Sequence, residues 1–442
     1  MTNNIYFQPA EQVGQQLARR TLLQNTACGF GAVALSALTD RSSAAGASIA
    51  ESLAAASHPL PRAKRIIFLF MQGGVSQVDS FDHKPYLQKR DGQRLTLNDA
   101  RQLAKTGKPT EQRLMKSPWQ FQQYGETGKA VSSLFPHVAQ HVDSLTFLHA
   151  MHTEGVAHGP ATLFLHCGAT AAIRPSMGSW VMYGLGSENE NLPGFISIAP
   201  SIGNGGPRNY GSAFLPPEYQ GTRLGAIGKD ELTIEHLSPA DVSLDERQRR
   251  KQLLQRLNQA HLERRRQPDA ELLAATDAVD MAWRMHCVAP EILDLQTESQ
   301  ATLSIYGIDQ PKTRDYGQRC LLARKLCEAG VRFIQVNYGD NSDNPAWDQH
   351  SNLPKHADHA EAVDQPIAAL LTDLKQRGLL EDTIVWWGGE FGRTPYAEAN
   401  GTGRDHNPGG FTVWLAGGGF KPGLSYGLSD EIGFQGVSGK VH

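Results

Sequence analysis

Residues 62–83 of the 442-residue chain read RAKRIIFLFMQGGVSQVDSFDH. Six consecutive apolar residues, Ile66–Met71, follow the basic start of this stretch, and the pair Gly73–Gly74 comes shortly after them. An uninterrupted apolar run that ends at glycine is typical of a strand that is buried on both faces, as in a parallel sheet. The stretch therefore predicts a buried, parallel-type strand over Ile66–Met71.

Further strands of the same kind alternate with helical patterns along the chain. The apolar runs are Val331–Val336, Thr383–Trp387 and Phe411–Ala416, and helical patterns over Gly317–Ala329 and Pro366–Gln376 precede the first two. Pro366 suits the first turn of its helix and Gly378 suits the stop. Alternating strands and helices predict an α/β fold, a three-layer sandwich around a mainly parallel sheet.

Composition excludes several classes of protein. The chain is 40% hydrophobic and 20% charged, with a net charge of −3, so it is neither a disordered chain nor a nucleic-acid binder. No apolar run reaches the roughly 18–20 residues that a stable membrane span needs. Sixteen histidines against five cysteines favour imidazole metal sites over a disulfide scaffold.

The N-terminus has the pattern of an export signal. Arg19 and Arg20 precede a thirteen-residue uncharged stretch, residues 26–38, and small-residue sites such as Ala45-Gly46-Ala47 follow. This pattern is typical of the twin-arginine type of signal. We therefore expect a signal peptide and linker over residues 1–60, and a periplasmic or extracellular domain over 61–442 with a helical insertion at about 240–303.

Polar residues collect just beyond the predicted strands, where sites form in open α/β sheets. Mixed carboxylates and imidazoles are typical of zinc- or manganese-type sites. Arg393 and Arg404 are candidates to hold the oxygens of an anionic substrate. The candidate metal ligands are Asp79, Asp82, Asp348, His350, Glu390 and His406, with His158 at the start of a predicted helix that runs to Cys167.

Each of these residues also has a structural interpretation. Asp82 is a possible cap of a helix or turn, Glu390 a possible partner of Arg393, and His406 a possible partner of backbone groups. His356 and His359 lie in the polar stretch KHADHAEA and are expected to be exposed. The convergence of several signals at one edge of the sheet favours a site.

Long segments of the chain resemble one family. They include RAKRIIFLFMQGGVSQVDSFDHKP (62–85), HTEGVAHGPATLFLHCG (152–168), LLTDLKQRGLLEDTIVWWGGEFGRTP (370–395) and GRDHNPGGFTVWLAGGGFKPG (403–423). Together with shorter matches they span about residues 62–434, and they resemble the exported, sulfatase-like family called domain of unknown function 1501. That resemblance implies an alkaline phosphatase-like fold.

The resemblance also implies roles for individual residues. Gln72-Gly73 stands where the superfamily has a metal-binding Asp-Gly pair, and Glu390-Phe391 where it has Asp-His. His406 matches its final histidine ligand. The nucleophile position corresponds to His158, as a catalytic residue or a ligand, with Thr153 and Thr162 as nearby alternatives; Thr153 is also a candidate substrate-binding residue.

The function that this resemblance implies is an exported, metal-dependent hydrolase of phosphate or sulfate esters. Its cofactor would be zinc, manganese or calcium, its substrate a small-molecule or glycan ester, and its export partner the twin-arginine machinery. One alternative is a non-catalytic exported protein that binds a glycan or a partner on a degenerate hydrolase fold; another is an isomerase or phosphomutase. Related chains continue beyond the position of His442, so we also expect a C-terminal truncation.

Overall fold

A computed structural model describes residues 62–99, 103, 107–226, 232, 243–264, 270–398 and 401–442. The predicted signal peptide and linker, residues 1–60, lie outside the described residues. The first described residue is Arg62, close to residue 61, where the predicted domain begins. Among the described helices, none has both the length and the apolarity that crossing a membrane requires.

Sixteen strands and eight α-helices make up the described fold. The strands are β1 (Arg65–Met71), β2 (Arg94–Leu97), β3 (Thr110–Arg113), β4 (Phe121–Tyr124), β5 (Lys129–Ser132), β6 (Leu145–Met151), β7 (Phe195–Ile198), β8 (Thr222–Leu224), β9 (Phe333–Tyr338), β10 (Thr383–Gly388), β11 (Gly392–Ala397), β12 (Arg404–Asn407), β13 (Phe411–Ala416), β14 (Ser425–Tyr426), β15 (Leu428–Ser429) and β16 (Gly436–Ser438). The helices are α1 (Pro85–Lys89), α2 (His158–Cys167), α3 (Met177–Leu185), α4 (Leu244–Arg264), α5 (Ala270–Leu293), α6 (Gln300–Ile305), α7 (Arg314–Glu328) and α8 (Lys355–Gln376).

The central sheet has eight strands in the order β14-β6-β13-β10-β1-β9-β7-β8. β1 lies in its middle and pairs in parallel with both β10 and β9. β13 runs antiparallel to its two neighbours, β10 and β6, and the other strands share one direction. The sheet is therefore mainly parallel, and the carboxyl ends of its central strands meet at one edge.

Helices cover both faces of this sheet, because β1 is apolar on both sides. Ile67 and Leu69 face a core that α7 and α8 close, whereas Phe68 and Phe70 face a second core that contains Val181 of α3. This arrangement confirms the predicted three-layer sandwich. The four predicted strands all lie in the same sheet, and their observed bounds differ from the predicted ones by no more than two residues.

The helix before β10 is longer than the sequence analysis expects. α8 begins at Lys355, so Pro366 lies inside it, and the prediction that Pro366 opens the helix is wrong. Its buried residues continue across the proline, from Val363 to Ile367 and Leu370, and this packing offsets the hydrogen bond that proline cannot donate. Gly378, with φ 70°, lies just past the helix end as predicted.

The extra turns of α8 also overturn the expectation that His356 and His359 are exposed. His356 is fully buried and packs its ring against Trp347, and its Nε2 lies 3.4 Å from the backbone N of Ser76. His359 is partly buried, with its Nδ1 2.9 Å from the hydroxyl of Tyr338. Helix formation turns both rings of the polar stretch toward the sheet.

Candidate metal centre

Five of the predicted site residues converge where the central strands end. The loop after β9 carries Asp348 and His350, and the turn after β10 carries Glu390. β12 carries His406, and α2 begins at His158, as the sequence predicts. Four of these side chains are buried, and His350 retains about a quarter of its exposure.

The carboxylate of Asp348 is the centre of this group. Its Oδ1 lies 3.1 Å from His158 Nε2, 2.9 Å from His350 Nε2 and 3.0 Å from His406 Nε2. The Nε2 atoms of His350 and His406 are also only 3.0 Å apart. Three imidazoles therefore aim the same ring nitrogen at one point beside a carboxylate.

The outward nitrogen of each ring shows which form the ring takes. Nδ1 of His158 lies 2.7 Å from Glu390 Oε1, Nδ1 of His350 lies 2.9 Å from Glu398 Oε1, and Nδ1 of His406 lies 2.9 Å from the carbonyl oxygen of Val156. All three partners are oxygen acceptors, so each Nδ1 carries a proton and donates it. In the neutral rings, the three Nε2 lone pairs therefore point toward Asp348 Oδ1, and those of His350 and His406 also face each other.

Lone pairs that face each other at 3 Å need a positive charge between them. Burial lowers the pKa of His406 to about 3, so this ring is neutral at pH 7. Burial also lowers the pKa of His158, but Asp348 and Glu390 outweigh it and raise this pKa above the usual value. A proton on His158 or a metal ion in the cluster would supply this charge.

The donor set fits a divalent ion. His158, Asp348 and His406 each offer a ligand atom, all within 4.8 Å of one another, and His350 and His406 form a second such group with Asp405. Tetrahedral ligands at about 2.0 Å from a zinc ion lie roughly 3.3 Å apart, close to the separations seen here. Oδ2 of Asp348 is buried and has no hydrogen-bond partner among the described residues, so it is a further available donor.

Glu390 lies behind His158 instead of facing the other imidazoles. Its Oε1 contacts His158 Nδ1, and both of its carboxylate oxygens accept the backbone N–H of Gly73, at 2.9 and 3.1 Å. A carboxylate in this position fixes the tautomer and orientation of a metal-binding histidine. Gly73 has φ 109°, and a Cβ there would lie 2.7 Å from the carbonyl oxygen of Pro345, so only glycine suits this contact.

Arg393 is fully buried, and the surrounding protein engages its guanidinium. It donates to Asp348 Oδ1 at 2.7 Å, to the carbonyl oxygen of Gly74 at 3.0 Å, and to the carbonyl oxygens of Gly73 and Arg404. These bonds join the end of β1 to Asp348. Arg393 therefore positions the carboxylate at the centre of the site.

The remaining predicted residues do not join the imidazoles. Arg404 is buried and donates to both carboxylate oxygens of Asp79, at 2.6 and 3.1 Å. Asp82 contacts Lys84 Nζ at 3.0 Å and Ser429 Oγ at 2.5 Å, in a separate cluster. Thr153 is partly buried, and its backbone N–H donates to the carbonyl oxygen of Pro408.

Two residues of the site have roles that the sequence did not predict. Glu398, which orients His350, follows β11 in a stretch without a recognisable pattern. Phe391 is buried and lies against the rings of His158 and His406, with centroids 5.0 and 4.4 Å away. It forms an apolar wall beside these two imidazoles, and its place in the turn Gly-Gly-Glu-Phe-Gly-Arg is the one sequence signal for it.

Comparison with known families identifies the chain. The model of the family described as "Protein of unknown function (DUF1501)" matches residues 63–442. The chain belongs to the DUF1501 family. No curated protein matches it.

This DUF1501 chain is also similar to solved structures at low identity. The alkaline phosphatase from the Antarctic bacterium TAB5 is 11% identical, with a TM-score of 0.33, over 83% of this chain and 94% of that one. The PsFucS1 sulfatase from Pseudoalteromonas sp. is 10% identical, with a TM-score of 0.35, over 91% and 69%. The lipoteichoic acid synthase LtaP from Listeria monocytogenes is 8% identical, with a TM-score of 0.35, over 82% and 67%.

Proposed function

We propose that the protein is an exported, metal-dependent hydrolase of phosphate or sulfate esters. The convergence of three imidazole Nε2 atoms on Asp348 carries this proposal. His158, His350, His406 and Asp348 would hold the ion. Imidazole-rich sets suit zinc or manganese, whereas calcium prefers oxygen ligands, so we propose one of the first two.

The chain's own residues supply the framework of the reaction. A bound divalent ion polarises an ester oxygen and lowers the pKa of a bound water. Glu390 and Glu398 keep Nδ1 of His158 and His350 protonated, so that Nε2 stays a ligand. Since both nitrogens of His158 are then engaged, we propose that it is a ligand and not the nucleophile.

Phe391 excludes water from one side of the imidazoles, because its ring packs directly on two of them. His350 is the most exposed of the four proposed ligands, so a substrate would approach the site from the side of His350. Thr153, in the segment that leads to His158, remains our proposed substrate contact.

One observation favours the non-catalytic alternative, a protein that binds a glycan or a partner. Arg393 and Arg404 are both buried and bonded to carboxylate or carbonyl groups, so neither presents a free guanidinium to an anionic ester. A degenerate site would keep the metal and lose turnover. Metal binding and hydrolysis therefore need separate measurements.

We expect the purified protein, stripped with a chelator, to bind one equivalent of zinc or manganese and to unfold at a higher temperature when loaded. Binding to the folded state alone stabilises a protein in proportion to RT ln(1 + [L]/Kd), or about 2.7 kcal/mol at a hundredfold excess over Kd. Calorimetric titration and thermal melting measure both effects. No binding and no shift in melting would contradict the proposal.

Hydrolysis is then tested on the loaded protein with 4-nitrophenyl phosphate, bis(4-nitrophenyl) phosphate and 4-nitrophenyl sulfate. Chelator-sensitive release of nitrophenol from any of the three supports the hydrolase. Metal binding without hydrolysis of these esters would support the binding protein instead.

Export is a second prediction. Changing Arg19 and Arg20 together to lysine should hold the precursor in the cytoplasm, because the paired arginines are what the proposed pathway reads. Fractionation of cells that express the full chain, followed by immunoblotting, measures the distribution. Unchanged export of the variant would contradict the twin-arginine proposal.

A further inference from the structure

The long helix α4 contacts α5 through polar side chains. Lys251 Nζ lies 2.9 Å from Asp280 Oδ1, and Asn258 donates to the hydroxyl of Thr276 at 3.1 Å. Gln255 also donates to Asp280, at 3.0 Å. These α4 residues are three or four positions apart, so they form one stripe along the helix. The stripe that faces α5 is therefore polar, and the leucines at the centre of α4 lie on another side.

Three of these central leucines are exposed to solvent. Leu253 and Leu257 each retain 59% of their exposure, and Leu254 retains 39%. Spacings of three and four residues bring their side chains together on the helix surface. In a surface helix such an apolar stripe usually faces the core of the protein, whereas here it faces away from the neighbouring helix. We call these three residues the leucine patch.

Four exposed arginines surround the leucine patch. Two of them lie beside Leu253 at spacings of three and four residues, one precedes the patch along the same helix face, and one follows it. They are Arg249, Arg250, Arg256 and Arg264. The patch therefore combines apolar side chains with guanidinium groups on a surface that no other described element covers.

The charge of this helix is positive, although that of the whole chain is not. α4 has six lysines and arginines and three acids, which gives it a net charge of +3, whereas the chain has −3. Arg249 and Arg250 approach Glu246 at 3.7 and 2.9 Å, in exposed contacts that water screens. Arg256 and Arg264 form no ion pair with any described carboxylate. The positive charge beside the leucine patch is therefore available to an anionic partner.

We propose that this face of α4 docks on the surface of a membrane that contains anionic lipids. The leucine patch enters the boundary between headgroups and acyl chains, and the arginines bind lipid phosphates. Charge complementarity favours this occupant over a second copy of the chain, because two copies of the face would bring arginines against arginines. Three partly exposed leucines also offer far less area than the roughly 1,200 Å² that a stable protein interface buries.

The test measures how the purified full chain binds to vesicles in a sedimentation assay. One set of vesicles is phosphatidylcholine alone, and the other is an equal mixture of phosphatidylcholine and phosphatidylglycerol. We expect at least about tenfold tighter binding to the mixed vesicles, because each arginine near an anionic surface adds to the attraction. Added salt should weaken this binding, since it screens exposed charges. Equal binding to the two kinds of vesicle would overturn the proposal.

Two double variants of α4 test the leucine patch and the arginines separately. Leu253→Gln/Leu257→Gln should weaken binding to the mixed vesicles by about tenfold or more, since it removes two apolar side chains that enter the membrane. Arg256→Gln/Arg264→Gln should remove much of the preference for mixed vesicles. Wild-type binding by the leucine variant would place any membrane contact elsewhere in the chain, such as the N-terminal segment, and would overturn the proposal.

The matched control is Leu95→Gln/Leu428→Gln, which changes two exposed leucines on β2 and β15. We expect this variant to bind both kinds of vesicle as the wild type does, and thermal melting checks that every variant folds. Sedimentation velocity without vesicles tests the other occupant. A wild-type dimer that Leu253→Gln/Leu257→Gln dissociates would show that a second copy covers the patch, and would overturn the proposal.

Discussion

Replacing His406 by alanine should weaken zinc binding by about 100-fold or more, with most of the fold retained. The ring of His406 approaches both Asp348 and His350 through its Nε2, at 3.0 Å each. Its removal takes away one of three lone pairs and leaves the space in front of Phe391 empty. Calorimetric titration of the stripped variant, with elemental analysis of the protein as purified, measures the loss.

The matched control is His261→Ala, because His261 lies exposed on α4, far along the chain from every proposed ligand. We expect this variant to bind zinc as the wild type does. Asp348→Asn should be as damaging as His406→Ala, since it removes the charge that the three imidazoles surround. Wild-type affinity in both His406→Ala and Asp348→Asn would rule out this cluster as the metal site.

The parts of the fold that depend on continuous apolar runs could be predicted from the sequence. Ile66–Met71 is buried on both faces, and its composition alone indicates this. Placing the site at strand ends follows from the same pattern, because carboxyl ends of parallel strands meet at one edge. This is why His158, Asp348 and His406 could be named together although they lie far apart in the chain.

Roles within the site could not be predicted, since they depend on which atom faces which. A sequence does not show that Glu390 binds the outward nitrogen of His158, or that Arg393 donates its hydrogen bonds to Gly74 and Asp348. His356 shows the opposite case. Its neighbours in the sequence are polar and suggest exposure, but His356 lies on a buried face of its helix. These roles depend on distances between side chains in the folded protein, and the spacing of residues along the chain does not show those distances.

For Arg404, the sequence predicts the position correctly but not the role. The sequence places it beside His406 and suggests a substrate contact, whereas its guanidinium is fully buried and binds Asp79, which is equally buried. It also donates to the carbonyl oxygens of Thr394 and Met115 at 3.1 Å. Removing one partner of a buried ion pair leaves the other charge without compensation, which typically costs about 3–5 kcal/mol.

We therefore expect Arg404→Met to lower the free energy of unfolding in urea by about 3–5 kcal/mol when measured with chelator present, so that lost metal binding does not contribute. The double variant Asp79→Leu/Arg404→Met should recover part of this loss, because it removes both charges, while Ser76 and the carbonyl oxygens that Arg404 contacts still lose a partner. Hydrolysis by the folded fraction of each variant is measured in parallel. If Arg404→Met keeps wild-type stability but loses activity, the structural role is contradicted and Arg404 is a substrate contact. A guanidinium that acts only on a bound ester contributes nothing to the unfolding free energy of the free protein.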